Sequence, residues 1–227
     1  MKEKLVIYHG SSNIIKKPKY GIGNPRNDYG LGFYCTESID LAKEWACTNT
    51  SGGYANEYKL DLNDLNILDL SNSKYSILNW LTILLQNRTF KTNNDISKAG
   101  KDYLIKNFNI DLSTYDIIKG YRADDSYFSF AQDFLNNTIT VQKLAEAMKL
   151  GKLGEQIVLK SSKAFSHIQF VKYEEAPQDI YYPLRKSRDY LARSTYFEHK
   201  KDKIITDDDL FLIDIIRKGI DNNDPRI

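Results

Sequence analysis

The chain is poor in cysteine, proline and histidine. Two cysteines, Cys35 and Cys47, in 227 residues exclude a disulfide framework, and neither has Cys or His neighbours at zinc-ligand spacing. Five prolines and 12 glycines against 16 tyrosines exclude low-complexity and disordered classes. No apolar run is long enough to span a bilayer. The N-terminal apolar run, Leu5 to Tyr8, is too short for the core of a secretory signal. Charge of one sign is missing too. Lys plus Arg number 32 and Asp plus Glu 30, so the net charge of +2 neither demands nor excludes a nucleic-acid partner. These absences lead us to expect a globular protein in a reduced cytoplasmic setting, with no membrane partner.

What is present is organised around Asp28-Tyr29-Gly30-Leu31-Gly32-Phe33-Tyr34-Cys35-Thr36, preceded by Tyr8-His9-Gly10-Ser11. A glycine turn runs into a short strand, and a helix follows. Gly30 and Gly32 permit backbone angles or close approaches that a Cβ forbids. Phe33 and Tyr34 alternate faces, so one can enter the core and the other line a cleft. Ser38 fits an N-cap, with Ile39, Leu41, Ala42, Trp45 and Ala46 on one helical face.

In chain order, Lys4 to Tyr8 reads as a strand that delivers His9, Gly10 and Ser11 to its end. Residues 12–27 are rich in Lys, Gly, Asn and Pro and read as a surface loop, with room for a short strand at Ile14-Ile15. Tyr54 to Leu60 alternates with period two, and Ile67 to Leu70 reads as a further strand. Tyr75 to Leu85 is too apolar for a surface helix and is expected to be buried. A helix is expected around Ser97 to Phe108, and Tyr115 to Gly120 reads as a strand closed by glycine. Asp124 and Asp125 fit the cap of a helix through Tyr127, Phe128, Phe130 and Phe134. Thr140 to Leu150 reads as an amphipathic helix ended by Gly151 and Gly154. Glu155 to Lys160 and Ile168 to Tyr173 read as strands, with a short turn or helix at Lys163 to Ser166. The charged tail reads as two helices, Leu184 to Phe197 and Asp207 to Lys218. Strands and helices do not alternate regularly, so the expected class is α+β.

Together, YHGS at a strand end, DYGLGFYCT before an apolar helix with Trp45-Ala46, and the late strand GEQIVLKS resemble the ADP-ribosyltransferase superfamily. They resemble more closely a bacterial domain-of-unknown-function group placed there, in which a segment like YDIIKGYRADDSYF (Tyr115 to Phe128) also occurs. The resemblance spans roughly Leu5 to Tyr173. It implies a split, twisted pair of small sheets with surrounding helices as domain 1–177, and a helical extension, 178–227, packed on it.

The resemblance also implies a site. His9 would hold the adenosine ribose, Gly10 would offer backbone groups to the nicotinamide amide, and Tyr34 would stack on the nicotinamide ring. Ser11, Arg26 and Gly32 belong to the same expected cofactor-binding set. Ser12, Lys17 and Lys19 are further donors near the diphosphate, and Arg26 is preferred among the donors because its fork suits phosphate oxygens. The third catalytic position, commonly Glu, falls on Gln156 with Glu155 beside it. Neighbours on a strand face opposite ways, so only one enters a cleft, and Gln156 is preferred. Gln makes hydrogen bonds but carries no charge to favour a cationic transition state, so Asp124 or Asp125 is the candidate acid.

The expected function is NAD-dependent mono-ADP-ribosylation of a macromolecular acceptor, protein or nucleic acid, with NAD as co-substrate and no metal. A toxin, phage-defence or effector role follows from the resemblance, with an antitoxin or inhibitor protein as partner. The alternatives are an NAD glycohydrolase on the same fold and a non-catalytic nucleotide- or protein-binding module. Other residues have plainer readings. Taken alone, His9 is a turn residue and Tyr34 a core residue. His167 and His199 have no partner pattern. Cys35 reads as a buried filler. Arg185, Lys186, Arg188 and Arg193 read as a solvated helical face, or as the docking face of an acidic target.

Overall fold

The computed structural model describes residues 4–123, 125–150, 154–201, 206 and 209–227, without the side chains of residues 125, 126, 199 and 201. The class is α+β. Strands β1 (Lys4–Ser11), β3 (Gly53–Asp61) and β7 (Ile168–Ala176) form an antiparallel sheet in the order β1-β3-β7. Strands β2 (Phe33–Cys35), β6 (Glu155–Leu159), β5 (Ile117–Tyr121) and β4 (Ile67–Asp69) form a second sheet in the order β2-β6-β5-β4, parallel only between β4 and β5. The sheets are stitched at one residue pair. Tyr8 N–H donates to the Thr36 carbonyl at 2.8 Å, and Thr36 N–H donates back at 2.9 Å.

Alternation along the strands divides the apolar side chains between two cores. Ile7, Tyr58 and Leu60 of the first sheet meet Phe33, Cys35, Ile157 and Leu159 of the second. The opposite face of the second sheet, through Ile118 and Val158, packs on a larger helical core. There α2 (Ile77–Asn87) buries eight consecutive residues from Leu78 to Leu85. It is apolar nearly all round because α3 (Asp95–Asn107) and α5 (Val141–Ala147) cover it as well as the sheet. Burying Leu81, Phe130 or Phe134 contributes about 2 kcal/mol each. Phe130 and Phe134 belong to α4 (Asp125–Leu135).

Helix α1 (Ile39–Ala46) starts as its sequence specifies, with the Ser38 hydroxyl accepting from Leu41 N–H at 3.3 Å. It lies across β1 and β3 and is covered by α7 (Gln178–Lys201). Glu44, almost fully buried, is clamped by Arg188 through two hydrogen bonds of 3.0 and 2.8 Å. The short α6 (Ser162–Ser166) precedes β7, and α8 (Leu212–Lys218) packs on α3. Ala192, Tyr196, Leu210, Leu212, Ile215 and Ile220 all enter the large core, so the tail helices are continuous with it. Among the described residues no helix is long and apolar enough to cross a membrane.

Several expected boundaries move, two of them for a packing reason. Gly120 does not close a strand. It lies within β5 opposite Gln156, and the Tyr29 hydroxyl occupies the space a Cβ would need. The first tail helix begins at Gln178 and carries Pro183 inside it. Proline removes one helical hydrogen bond there. Tyr181 and Tyr182, packed on Ala46, Cys47 and Ala176, hold that turn in place. Thr140 is the cap of α5 rather than its first residue, and α5 ends at Ala147. The second tail helix starts at Leu212, later than Asp207. Asp124, Gly151 and Asp207 lie outside the described residues.

Ile14-Ile15 is not a strand. Its backbone is held instead by side chains of β3: Asn56 Oδ1 accepts from Ile15 N–H at 2.9 Å, and the Tyr58 hydroxyl donates to the Ile15 carbonyl at 2.5 Å. Asn56 is fully buried and also donates to the carbonyls of His9 and Asn13, each at 3.2 Å. Replacing Asn56 with Ala orphans the Ile15 N–H and takes a second donor from the carbonyls of His9 and Asn13, so we expect a loss of about 3 kcal/mol. A thermal melt should drop by roughly 6–12 °C, and a drop under about 2 °C would show that the loop holds without Asn56.

Candidate functional site

Beyond the Tyr8–Thr36 stitch, β1 and β2 diverge and the gap opens into a cleft of about 460 Å³. Its walls include His9 from β1, Gly32, Phe33 and Tyr34 around β2, and Ile15, Lys17, Lys19 and Ile22 from the loop. That volume suits a small molecule, and the lining carries two lysines and no acid.

His9 Nδ1 hydrogen-bonds the Tyr34 carbonyl at 2.7 Å, which requires the proton on Nδ1. The ring stacks on Phe33 with centroids 4.3 Å apart and planes 27° apart. Burial lowers its pKa below the ordinary value, opposed by the Tyr34 carbonyl. His9 is therefore a neutral ring at pH 7 whose Nε2 is an acceptor.

Tyr34 lies on the opposite face of β2 from Phe33 and Cys35, as the alternation requires. Its hydroxyl donates to the Gly30 carbonyl at 2.5 Å and accepts from Tyr29 N–H at 3.1 Å. Burial raises its pKa far above the usual tyrosine range. Tyr34 thus supplies a fixed ring and no proton chemistry.

The turn that receives this hydroxyl is held from three sides. Gly30 adopts φ +73°, a left-handed angle that favours glycine. Lys160 Nζ donates to the carbonyls of Tyr29 and Leu31, both at 2.5 Å. Asp28, almost fully buried, accepts from Arg88 at 2.7 Å and from Ala123 N–H at 2.9 Å. Burial pushes the Asp28 carboxyl up to about 6, opposed by the Ala123 amide and by the Arg88 and Arg122 guanidinium groups.

Gly10 is required by packing, since the Ala42 carbonyl of α1 fills the space of a Cβ. Both hydrogen-bonding groups of Tyr8 point to Thr36, so those of Gly10, two residues on, point the same way, towards the Tyr34 edge of β2. Ser11 differs: its hydroxyl donates to the Asn13 carbonyl at 2.5 Å and accepts from Asn13 N–H, closing a turn. Arg26 is exposed and lies outside the cleft lining.

Gln156 shares the Tyr34 face of the second sheet, two residues from Val158, the register partner of Tyr34. It is 6% exposed, and its Oε1 has no hydrogen-bond partner. The buried Trp45 Nε1 is likewise unpartnered. Leu41, one turn before Trp45 on α1, fills the space beside Gly154, and the Arg122 guanidinium lies 4.7 Å from the Trp45 ring centre. An unused acceptor and an unused donor thus flank one corner, where α1 meets the start of β6. Glu155 takes the other face and pairs with Lys119 at 3.4 Å.

His9 and Tyr34 are thus brought together at the cleft, and Gln156 is set behind them on the Tyr34 face. Asn56, Asp28, Lys160 and Arg122 were not singled out from sequence, because the partners described for them are 41 to 131 residues away. Arg185, Arg188 and Arg193 are engaged internally, with the Cys47 carbonyl, Glu44 and Asp189. His167 Nδ1 contacts the Asp61 carbonyl at 3.1 Å, away from the cleft, and the His199 side chain lies outside the description. Cys35 is fully buried, and burial raises its thiol well above the ordinary value.

These parts define an α+β protein with a ligand-sized, cation-lined cleft where two small sheets split apart. The chain matches the model of the family described as protein of unknown function (DUF3990) over residues 5–170, and it belongs to that family. Neither the curated proteins nor the solved structures give a match.

Two pH dependences follow. Folded Asp28 holds its proton more tightly than an unfolded Asp, whose pKa is about 3.9, so its contribution to stability falls as pH rises towards about 6. Urea melts of wild type and Asp28→Asn should show wild type relatively more stable at pH 4.5 than at pH 7; the opposite trend would contradict the assignment. The lowered pKa of His9 works the other way: its contribution is present above the unfolded value of about 6.5 and is lost as pH falls below it. The His9 ring proton signals, assigned with a His9→Gln spectrum, should titrate with a midpoint below 6.5.

Proposed function

We propose that the protein is an NAD-dependent mono-ADP-ribosyltransferase that acts in the cytoplasm on a macromolecular acceptor, on an ADP-ribosyltransferase-like pair of split sheets. The observation that carries this reading is the His9–Tyr34 pair at one cleft: a neutral imidazole acceptor, tied through Nδ1 to the Tyr34 backbone carbonyl, and the aromatic ring of that same residue, fixed through its own hydroxyl. In this reading His9 Nε2 accepts from a ribose hydroxyl. Gly10 offers its outward amide groups to the carboxamide of nicotinamide. Tyr34 carries the nicotinamide ring, and Lys17 and Lys19 meet the diphosphate.

Cleaving the nicotinamide–ribose bond develops positive charge on the sugar and releases a neutral group. The protein therefore has to hold the dinucleotide in a reactive pose and present the acceptor. Gln156 has one unused acceptor oxygen for a nicotinamide-ribose hydroxyl. Being uncharged, it orients the sugar without supplying the electrostatic stabilisation a carboxylate would. A toxin, phage-defence or effector role, held in check by an antitoxin or inhibitor protein, fits the sequence resemblance.

The test is NAD turnover by wild type, His9→Ala, Tyr34→Ala and Gln156→Ala, following nicotinamide release and label transfer into lysate in parallel. Wild type should release nicotinamide and label a macromolecule. Removing one positioning group should lower the rate about 10²-fold, as misplacement of a bound reactant does. Release without label would favour a glycohydrolase, and NAD binding without release a non-catalytic module.

A further inference from the structure

The chain is nearly neutral overall, yet residues 12–27 contain Lys16, Lys17, Lys19 and Arg26 and no acid. That local charge is twice the +2 of the whole chain, so the remainder is net acidic. All four side chains are exposed, and none forms an ion pair among the described residues. The arginines of α7 stand in contrast, because each is engaged internally. The cationic loop also leaves apolar surface in water: Tyr20 is 58% exposed and Ile22 65%. A T-shaped contact with Phe165, centroids 5.6 Å apart, holds the Tyr20 ring. The loop itself is held by Asn56 and Tyr58 through Ile15, so the patch is pre-organised.

The loop has two sides. Lys17, Lys19 and Ile22 line the cleft, whereas Lys16, Tyr20 and Arg26 lie outside its lining. We infer that this outer side docks a single-stranded nucleic acid, which on the transferase reading is the acceptor. Phosphates would meet Lys16 and Arg26 while a base stacks on Tyr20, and the strand would cross the mouth of the cleft.

Three features favour a strand over an acidic protein. Three of the four cations are lysines, which protein–protein interfaces disfavour and phosphates accept as point charges. An exposed aromatic among cations is the combination single-strand binders use, with stacking worth about 1–3 kcal/mol per base. The charge is spread along the loop, Lys17 and Lys19 in the cleft lining and Lys16 and Arg26 outside it, as tracking a backbone requires.

The experiment measures fluorescence anisotropy of labelled oligo(dT) and oligo(U), each about 12 nucleotides. It uses wild type and the double variant Lys16→Glu, Tyr20→Ala, without NAD, over a salt series. Acceptor-free NAD turnover is read on the same preparations. We expect wild type to bind at low salt. The double variant should bind at least about 10-fold more weakly, with a log–log salt slope shallower by about 0.7 per lost phosphate contact. Its NAD turnover should match wild type, since neither residue lines the cleft. Unchanged affinity in the double variant, absence of wild-type binding at low salt, or equal competition by poly-glutamate would each overturn the inference, the last in favour of an acidic protein. Strand binding that the double variant loses, in a wild type that turns over no NAD, would keep the docking surface and overturn the transferase reading.

Discussion

The two hydrogen bonds between Tyr8 and Thr36 are the constraint on which the rest of the structure turns. They are the one place where the first strand of one sheet pairs with the first strand of the other. On one side of that stitch the sheets share an apolar core of Ile7, Phe33, Cys35, Tyr58, Ile157 and Leu159. Past the stitch β1 continues through His9 and Gly10 alongside Cys35 and Tyr34 without forming a ladder, while the chain after Thr36 runs the other way into α1. Two edges that pair once and then part leave a wedge with backbone groups exposed along it. A wedge of this kind is a better recognition surface than a continuous sheet, whose backbone groups are all engaged.

The walls of the wedge are held mainly by polar side chains reaching across the fold. Asn56 takes the place of a missing strand partner for Ile15. Lys160 and Asp28 hold the turn at Gly30, and that turn holds the Tyr34 hydroxyl, so the ring position depends on groups it does not touch. Buried polar contacts of this kind give modest net stability but fix one arrangement, because every alternative leaves a donor or acceptor unmet. Apolar packing alone would tolerate a ring displaced by an ångström; the hydrogen bonds make such a shift costly. The long core of α2 and α4 supplies the bulk stability against which this local specificity is set.

How much of this was legible in the sequence depends on the range of the interaction. Ser38 as an N-cap, the buried α2, the alternation of Phe33 and Tyr34, and the α+β class all follow from neighbours within a few residues, and the structure bears them out. The helix expected from Leu184 starts earlier, because a proline marks a helix start only when nothing else holds the preceding turn, and Tyr181 and Tyr182 hold it through contacts with Ala46, Cys47 and Ala176. Gly120 misled because a glycine inside a strand looks the same in sequence as one that ends it; the reason for it, the Tyr29 ring, lies 91 residues away. The juxtaposition of His9 and Tyr34 was reachable only through the joint motif, since neither residue carries a local signal. Asn56 and Asp28 had no signal at all, because an isolated Asn in a strand or Asp before a glycine is ordinary until its partners are known.

Gln156 shows the limit of reading chemistry from residue type. A carboxylate at this position would be buried beside Val158 and Gly120, and desolvation would push it towards its neutral form. An amide avoids that cost and keeps an acceptor in the same place, at the expense of charge. On the proposed reading the contribution of the site is positional: a neutral imidazole, a tethered ring, backbone amides and an amide oxygen, all uncharged. The cations stand at solvent-exposed positions, Lys17 and Lys19 in the cleft lining and Lys16 and Arg26 outside it. Separating uncharged positioning groups from exposed cations lets the cleft hold a ligand by shape and hydrogen bonding, while long-range attraction acts on whatever approaches its mouth.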